Sequence, residues 1–171
     1  MLTVAIDSID CATAAFAELS ADLLKAGVGV RFRARGNSMA PLVRDGDALL
    51  VRWVDSSLLR VGDVVLCSCP PDRLVAHRVV RVEAGPDGPC FSVQGDQVAL
   101  PDGVIRAAQI HGRVVAIERA GVQIDFDRPG LHLLGWAAAL RSRWHLNRDW
   151  GLYRLTAGAL RRLPAFCRHL A

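Results

Sequence analysis

The strongest constraint on the fold is a change of period at Gly27. Before it, in "SIDCATAAFAELSADLLKA" (8–26), Ala, Leu and Phe recur at helical spacing, and Gly27 is a stop signal. After it the period becomes two. "VGVRFRAR" (28–35) alternates apolar and basic residues, and "ALLVRWV" (48–54), "DVVLCSC" (63–69), "LVAHRVVRV" (74–82), "CFSVQ" (90–94), "GRVVAIER" (112–119) and "GVQIDF" (121–126) read as further strands. Between them stand the turns "RDGD", "RVGD", "PPD", "GPDGP", "LPDG" and "RAG". Many short strands at close intervals predict a mainly β protein, an antiparallel β-barrel assembly. Beyond Pro129-Gly130 helical patterning returns over 131–146 and 149–169, with a kink expected near Pro164. The expected organisation is an N-terminal helix over 1–27, a β domain over 28–130 and a basic helical extension over 131–171.

A chain of 171 residues that is 51% hydrophobic can bury a core and is not disordered by composition. Its net charge of +4 is unevenly spread. Arg141, Arg143, Arg148, Arg154, Arg161, Arg162 and Arg168 stand against Asp149 alone in the last 41 residues, so that stretch carries +6 and the rest −2. A near-neutral body with a basic tail implies an acidic partner or a membrane surface for the tail, unless the tail packs back as a solvated helix face. Trp136, Trp144 and Trp150 suit a membrane surface, and no nucleic-acid motif accompanies the arginines, so no nucleic acid is expected as partner.

Acids at Asp7, Asp10, Glu18 and Asp22 interrupt every apolar run near the N-terminus, which excludes a signal peptide there. No window approaches the roughly 18 apolar residues of a spanning helix. The cysteines, at 11, 67, 69, 90 and 167, are odd in number and form no CxxC pair, and Cys67-Ser68-Cys69 is too tight for half of a structural zinc site. They read as reduced thiols in a cytoplasmic chain, peripheral at most to a membrane, with no metal or cofactor expected.

One short stretch asks for chemistry. In "RARGNSMAPLVRDGDALLV" (33–51), Ser38 sits between Gly36-Asn37 and Met39-Ala40-Pro41, just ahead of a tight turn. A serine is a weak nucleophile until a base takes its proton, and histidine is the usual base near neutral pH. His77 lies mid-strand on the face shared with Val75 and Val79, where a lone histidine is more often a packed core residue. Asp96 in "VQGDQ" and Asp102 in "ALPDG" follow, each in or beside a turn, where aspartate commonly bonds its own backbone. His111, His132, His145 and His169 are scattered and suggest no role.

The order Ser, His, Asp, Asp, with its surrounding boxes, resembles the signal peptidase type I family. The likeness is closest to its Ser/His branch of endoplasmic-reticulum, archaeal and some bacterial enzymes. The boxes are "GNSMAPLVRDGDALLV" (36–51), "VGDVVLC" (61–67), "VAHRVVRV" (75–82), "FSVQGDQVALPDG" (91–103) and "IHGRVVAI" (110–117), in family order and covering about half the chain. The resemblance implies a signal-peptidase or repressor-peptidase-like fold and a serine endopeptidase that removes a leader or signal sequence from a precursor peptide or protein. Ser38 matches the nucleophile, His77 the general base, Asp102 the acid that orients it and Asp96 the neighbouring acid of the "GD" box. Met39 and Pro41 match residues that shape the turn and the substrate cleft. Lys25, the sole lysine, lies ahead of Ser38 in the expected helix, so a Ser/Lys dyad has no lysine on a following strand.

Two departures accompany the likeness. Many relatives carry a second serine two residues before the nucleophile as an oxyanion donor, whereas this chain has Gly36 there and Asn37 next, which leaves the second donor open. Typical signal peptidases are also membrane-anchored, and this chain has helices at both ends instead. A substrate is expected to add as a β-strand near "RFRAR" (31–35) and the strand of His77. Two other readings stand beside the peptidase: a non-catalytic peptide-binding relative, and a regulatory self-cleaving peptidase. The second would want a DNA-binding domain and a lysine base that the sequence lacks.

Overall fold

The computed structural model describes residues 3–6, 14–69, 73–86, 88–127 and 135, 137 and 138. The helices expected over 131–146 and 149–169, with their basic face, lie outside the described residues apart from those last three.

The chain is mainly β, an antiparallel sheet curled into a half-barrel, with one helix near the N-terminus. Strand β1 (Thr3–Ile6) precedes helix α1 (Ala14–Lys25), and β2 (Gly29–Arg33), β3 (Ala48–Arg52), β4 (Val64–Cys69), β5 (Arg73–Gly85), β6 (Gly88–Gln94), β7 (Val104–Arg106), β8 (Ile110–Arg119) and β9 (Val122–Asp125) follow. They form a nine-stranded sheet in the order β1-β2-β3-β8-β4-β5-β6-β7, with β9 also paired to β8. Among the described residues no helix is long and apolar enough to cross a membrane.

Two elements correct the expectation. Residues 1–27 are not all helix: Thr3–Ile6 pair in parallel with Gly29–Phe32. "TVAI" is too short for any period to show, and its strand state comes from the edge of β2 alone. Likewise β7 is a three-residue strand whose place is set by pairing with Cys90–Ser92.

The alternation of β4 explains the two cores. Its even residues Val64 and Leu66 join Phe32, Met39, Leu49, Val114 and Leu24 of α1 in one cluster. Its odd residues Val65, Cys67 and Cys69 join Val79, Phe91, Val93 and Ile105 in the other. A strand covered on both faces reads as a continuous apolar run, which "VVLC" is.

The two Arg-x-Gly-Asp turns are built alike. In each, the aspartate carboxylate accepts from the N–H of the arginine three residues back, Asp47 from Arg44 and Asp63 from Arg60, both at 2.8 Å. In each, glycine takes the left-handed conformation, φ +84° at Gly46 and +104° at Gly62. The first turn carries the chain from Ser38 into β3, and the second leads into β4. Asp47 is buried and accepts both Nε (2.8 Å) and Nη2 (2.6 Å) of Arg119, whose Nη2 also reaches the Leu42 carbonyl. The Ser38 loop is thereby tied to β8.

Candidate active site

Ser38 is held from both sides. Met39, next in the chain, is buried in the first core. The N–H of Gln97 donates to the Ser38 carbonyl at 2.8 Å, and the Gln97 side-chain amide donates to the Ala40 carbonyl at 2.9 Å. Between these contacts lies Gly95, where an added Cβ would stand 2.9 Å from the Ser38 carbonyl oxygen. The loop after β6 and the serine loop therefore meet backbone to backbone, and only glycine fits.

His77 lies on β5, opposite Val65 of β4, with its ring nearly buried. Its Nε2 is 3.0 Å from Ser38 Oγ, and its Nδ1 is hydrogen-bonded to Asp102 Oδ2. A carboxylate only accepts, so Nδ1 donates to Asp102 and Nε2 is left to accept from the serine hydroxyl. Asp102 Oδ1 also accepts from Arg73 Nη2 at 3.2 Å, and the Asp102 N–H donates to the Val93 carbonyl at 2.9 Å. Both carboxylate oxygens are engaged, which limits rotation of the acid against the ring.

Asp96, the acid of the "GD" box, pairs with an arginine. It forms a two-pronged ion pair with Arg78, Nε to Oδ1 at 2.8 Å and Nη2 to Oδ2 at 2.7 Å, with both side chains buried. Arg78 follows His77 on the strand and so points to the opposite face. Its remaining Nη1 donates to the Gly62 carbonyl at 2.8 Å. Among the described residues, Asp102 is thus the acid bonded to His77, and Asp96 braces the loop that holds Ser38. Gly135 lies against this pair, since a Cβ there would stand 3.0 Å from Arg78 Nη1.

A cleft of about 150 Å³ opens beside Ser38, walled by residues 32–36 and 74–77. Its floor is the first core: Ala34, Met39, Leu74 and Ala76. Gly36 and Met39 line it, whereas Asn37 and Pro41 do not. Asn37 is exposed, and Pro41 lies in the turn held by Gln97, past the point where the chain dips into the core at Met39.

The "RFRAR" edge is shorter than expected, because β1 covers β2 from Gly29 to Phe32. Across the cleft, β6 pairs with β5 only from Arg78 onward, so the backbone of Arg73–His77 has no strand partner on that side among the described residues. The Gly36 N–H donates to Asp45 Oδ1 at 2.7 Å and is not available as an oxyanion donor.

Cys67 and Cys69 lie close enough to Asp102 to feel its charge, with their sulfurs 3.9 Å apart. Their mutual hydrogen bond, reinforced by burial, raises the Cys67 thiol well above its ordinary value, and the same bond lowers Cys69. Ser68 and His111 make a second serine–histidine contact, Oγ to Nε2 at 2.7 Å, with no acid bonded to that histidine among the described residues. Burial, aided by the charge of Lys25, lowers the pKa of His111. No group of His, Cys, Asp and Glu suited to a metal occurs among the described residues.

Sequence reasoning did not find Arg73, Arg78, Gly95 and Gln97. Arg78 and Asp96 carry no local signature of pairing, and Gln97 acts through its backbone N–H and its side-chain amide on carbonyls far back in the chain. The one legible hint was Gly95 in "QGDQ", a glycine directly after a strand. No family model matches the chain, and no curated protein matches its sequence.

Proposed function

We propose that this chain is a serine endopeptidase of the signal-peptidase kind, which removes a leader or signal segment from a precursor peptide or protein. The observation that carries the reading is the continuous hydrogen-bond chain Ser38–His77–Asp102 at the end of an open cleft. A packed core histidine needs no serine hydroxyl on one nitrogen and a carboxylate on the other. This arrangement has the parts of a nucleophile, a base and an orienting acid.

The reaction is acyl transfer. Ser38 Oγ attacks the scissile carbonyl carbon while His77 Nε2 takes the hydroxyl proton. The carbonyl oxygen becomes an oxyanion, for which the Ser38 N–H is a natural backbone donor. Collapse breaks the C–N bond, and His77 returns its proton to the leaving amine. Water, deprotonated by His77, then hydrolyses the ester and restores the serine. Asp102 holds the Nδ1–H tautomer and stabilises the imidazolium formed at each stage.

The cleft suits an extended peptide. Ala34 bonds through both backbone groups to the turn ahead of β3, its N–H donating to the Asp47 carbonyl and its C=O accepting the Gly46 N–H. By strand alternation the backbone groups of Arg35 turn the other way, toward the cleft. A peptide laid between them and residues 74–77 would complete the half-barrel at this point as an added strand. Small side chains suit the Ala34–Ala76 floor.

The test is mass spectrometry of candidate precursor peptides incubated with the protein, beside Ser38→Ala and His77→Ala. Cleavage by the parent alone is expected, together with labelling of Ser38 by an acylating serine probe. A parent that neither cuts nor takes the probe would defeat the reading and favour a non-catalytic peptide-binding protein.

A further inference from the structure

Cys67 and Cys69 stand two residues apart on β4 and so share a face. The strand repeat spaces their Cα atoms roughly 6.4–6.8 Å apart, yet their sulfurs are only 3.9 Å apart. The two side chains lean toward each other, which the packing of two small residues does not require. Both are free thiols, buried in the second core with Val65, Val79, Phe91 and Val93. The pair also lies beside the candidate site. Cys67 is the register partner of Val75 and Cys69 of Arg73, on the strand that carries His77. Arg73 in turn donates to Asp102 Oδ1.

We propose that Cys67 and Cys69 form an oxidative modification site, closed by a peroxide into a reversible disulfide that slows the Ser38–His77–Asp102 site. The effect on rate rests on the peptidase reading, whereas the bridge itself does not. A disulfide spans Cα separations up to about 6.8 Å, so a pair at the strand repeat sits at the far limit. Closing the bridge draws β4 together, and strain of that kind makes a disulfide easy to reduce. The shortening falls between the partners of Val75 and Arg73. It is therefore passed across the β4–β5 ladder to the arginine that holds Asp102.

Cys69 is the last residue of β4, and strand ends open locally at small cost, which admits a small oxidant. Its hydrogen bond to Cys67 favours its thiolate, which makes it the attacking sulfur. Cys69 Sγ attacks one peroxide oxygen, the O–O bond breaks, and the departing hydroxide takes up the thiol proton as water. Cys67 Sγ then attacks Cys69 Sγ, the S–O bond breaks, and hydroxide leaves with the Cys67 proton as a second water. Two thiols give up two electrons and two protons, and one peroxide becomes two waters.

The experiment treats the reduced full chain with excess hydrogen peroxide, blocks remaining thiols with N-ethylmaleimide and digests with trypsin. Both cysteines fall in one fragment, Val61–Arg73, separate from Cys11, Cys90 and Cys167. That fragment is expected to lose two hydrogens and take no blocking group, at any protein concentration. Dithiothreitol should restore both thiols. With the bridge closed, labelling of Ser38 by the acylating probe should slow at least about tenfold, since small misplacements near reacting groups are costly. It should recover on reduction. Cys69→Ala should label at the same rate before and after peroxide, which sets aside oxidation of Met39. The Nδ1–H proton of His77, followed by NMR and assigned with His77→Gln, should shift on bridging whether or not the probe reacts.

A fragment that takes two blocking groups after peroxide overturns the proposal, as does one that carries added oxygens or is joined to another fragment. A closed bridge that leaves both the His77 proton and Ser38 labelling unchanged overturns it as well. A bridge that shifts the His77 proton in a protein whose Ser38 never takes the probe, reduced or oxidised, upholds the modification site and defeats the peptidase.

Discussion

Gly95 approaches Ser38 so closely that a methyl group added to it would lie 2.9 Å from the serine carbonyl oxygen and 3.0 Å from the serine Cβ. The residue that sets the position of the candidate nucleophile is therefore a glycine far along the chain, on a loop that makes no chemistry of its own. Gly95→Ala is expected to push Ser38 away from His77 and slow labelling by an acylating probe on the order of a hundredfold, the scale of a misplaced reacting group. The measurement is probe labelling kinetics beside a thermal melt. Unchanged labelling would mean that the loop yields and does not position the serine.

Asp102 is expected to act through His77 and not on substrate. Asp102→Asn keeps the shape but favours the wrong imidazole tautomer, and the expected fall in turnover is on the order of ten-thousandfold. Peptide cleavage rates with the tightest-bound peptide check this. A loss confined to KM would assign Asp102 to the cleft wall instead.

The Arg78–Asp96 pair is buried on both sides, so removing one partner leaves a charge without compensation. Arg78→Met or Asp96→Leu alone is expected to cost about 3–5 kcal/mol, and the double change to recover most of it. Urea unfolding of the three variants measures the coupling. Additive losses would show that the two side chains do not depend on each other.

His111 couples stability to pH. Burial depresses its folded pKa below the ordinary 6.5, so between the two values the unfolded chain binds more protons than the folded one. Its contribution to stability is complete above pH about 6.5 and is lost as pH falls through the folded value. The parent should therefore lose more stability than His111→Gln between neutral and mildly acid pH. Parallel pH-dependent melts of the two proteins decide it, and identical slopes would dismiss His111 as the source.

Much of this protein was legible as sequence because the signals are local. Period two from Val28, the Arg-x-Gly-Asp turns and the glycine after α1 each act within a few residues, where backbone sterics and side-chain alternation decide the outcome. Those signals placed most of the strands, while Ser38, His77, Asp96 and Asp102 stood out by their order, and their roles came only from the family resemblance. They could not place Thr3–Ile6, whose strand conformation exists only because β2 has an edge to share.

The tertiary structure decided what depends on register and curl. It brought Ser38 to His77 across 39 positions and His77 to Asp102 across 25. It also separated the two candidate acids, sending Asp96 to Arg78 on the opposite face. Composition and periodicity name the residues a strand presents, but which residues meet across a cleft is set by how far the sheet bends and where each pairing stops. At β5 that point is Arg78, where β6 takes over, and ahead of it no strand among the described residues pairs that side of β5 beside the serine.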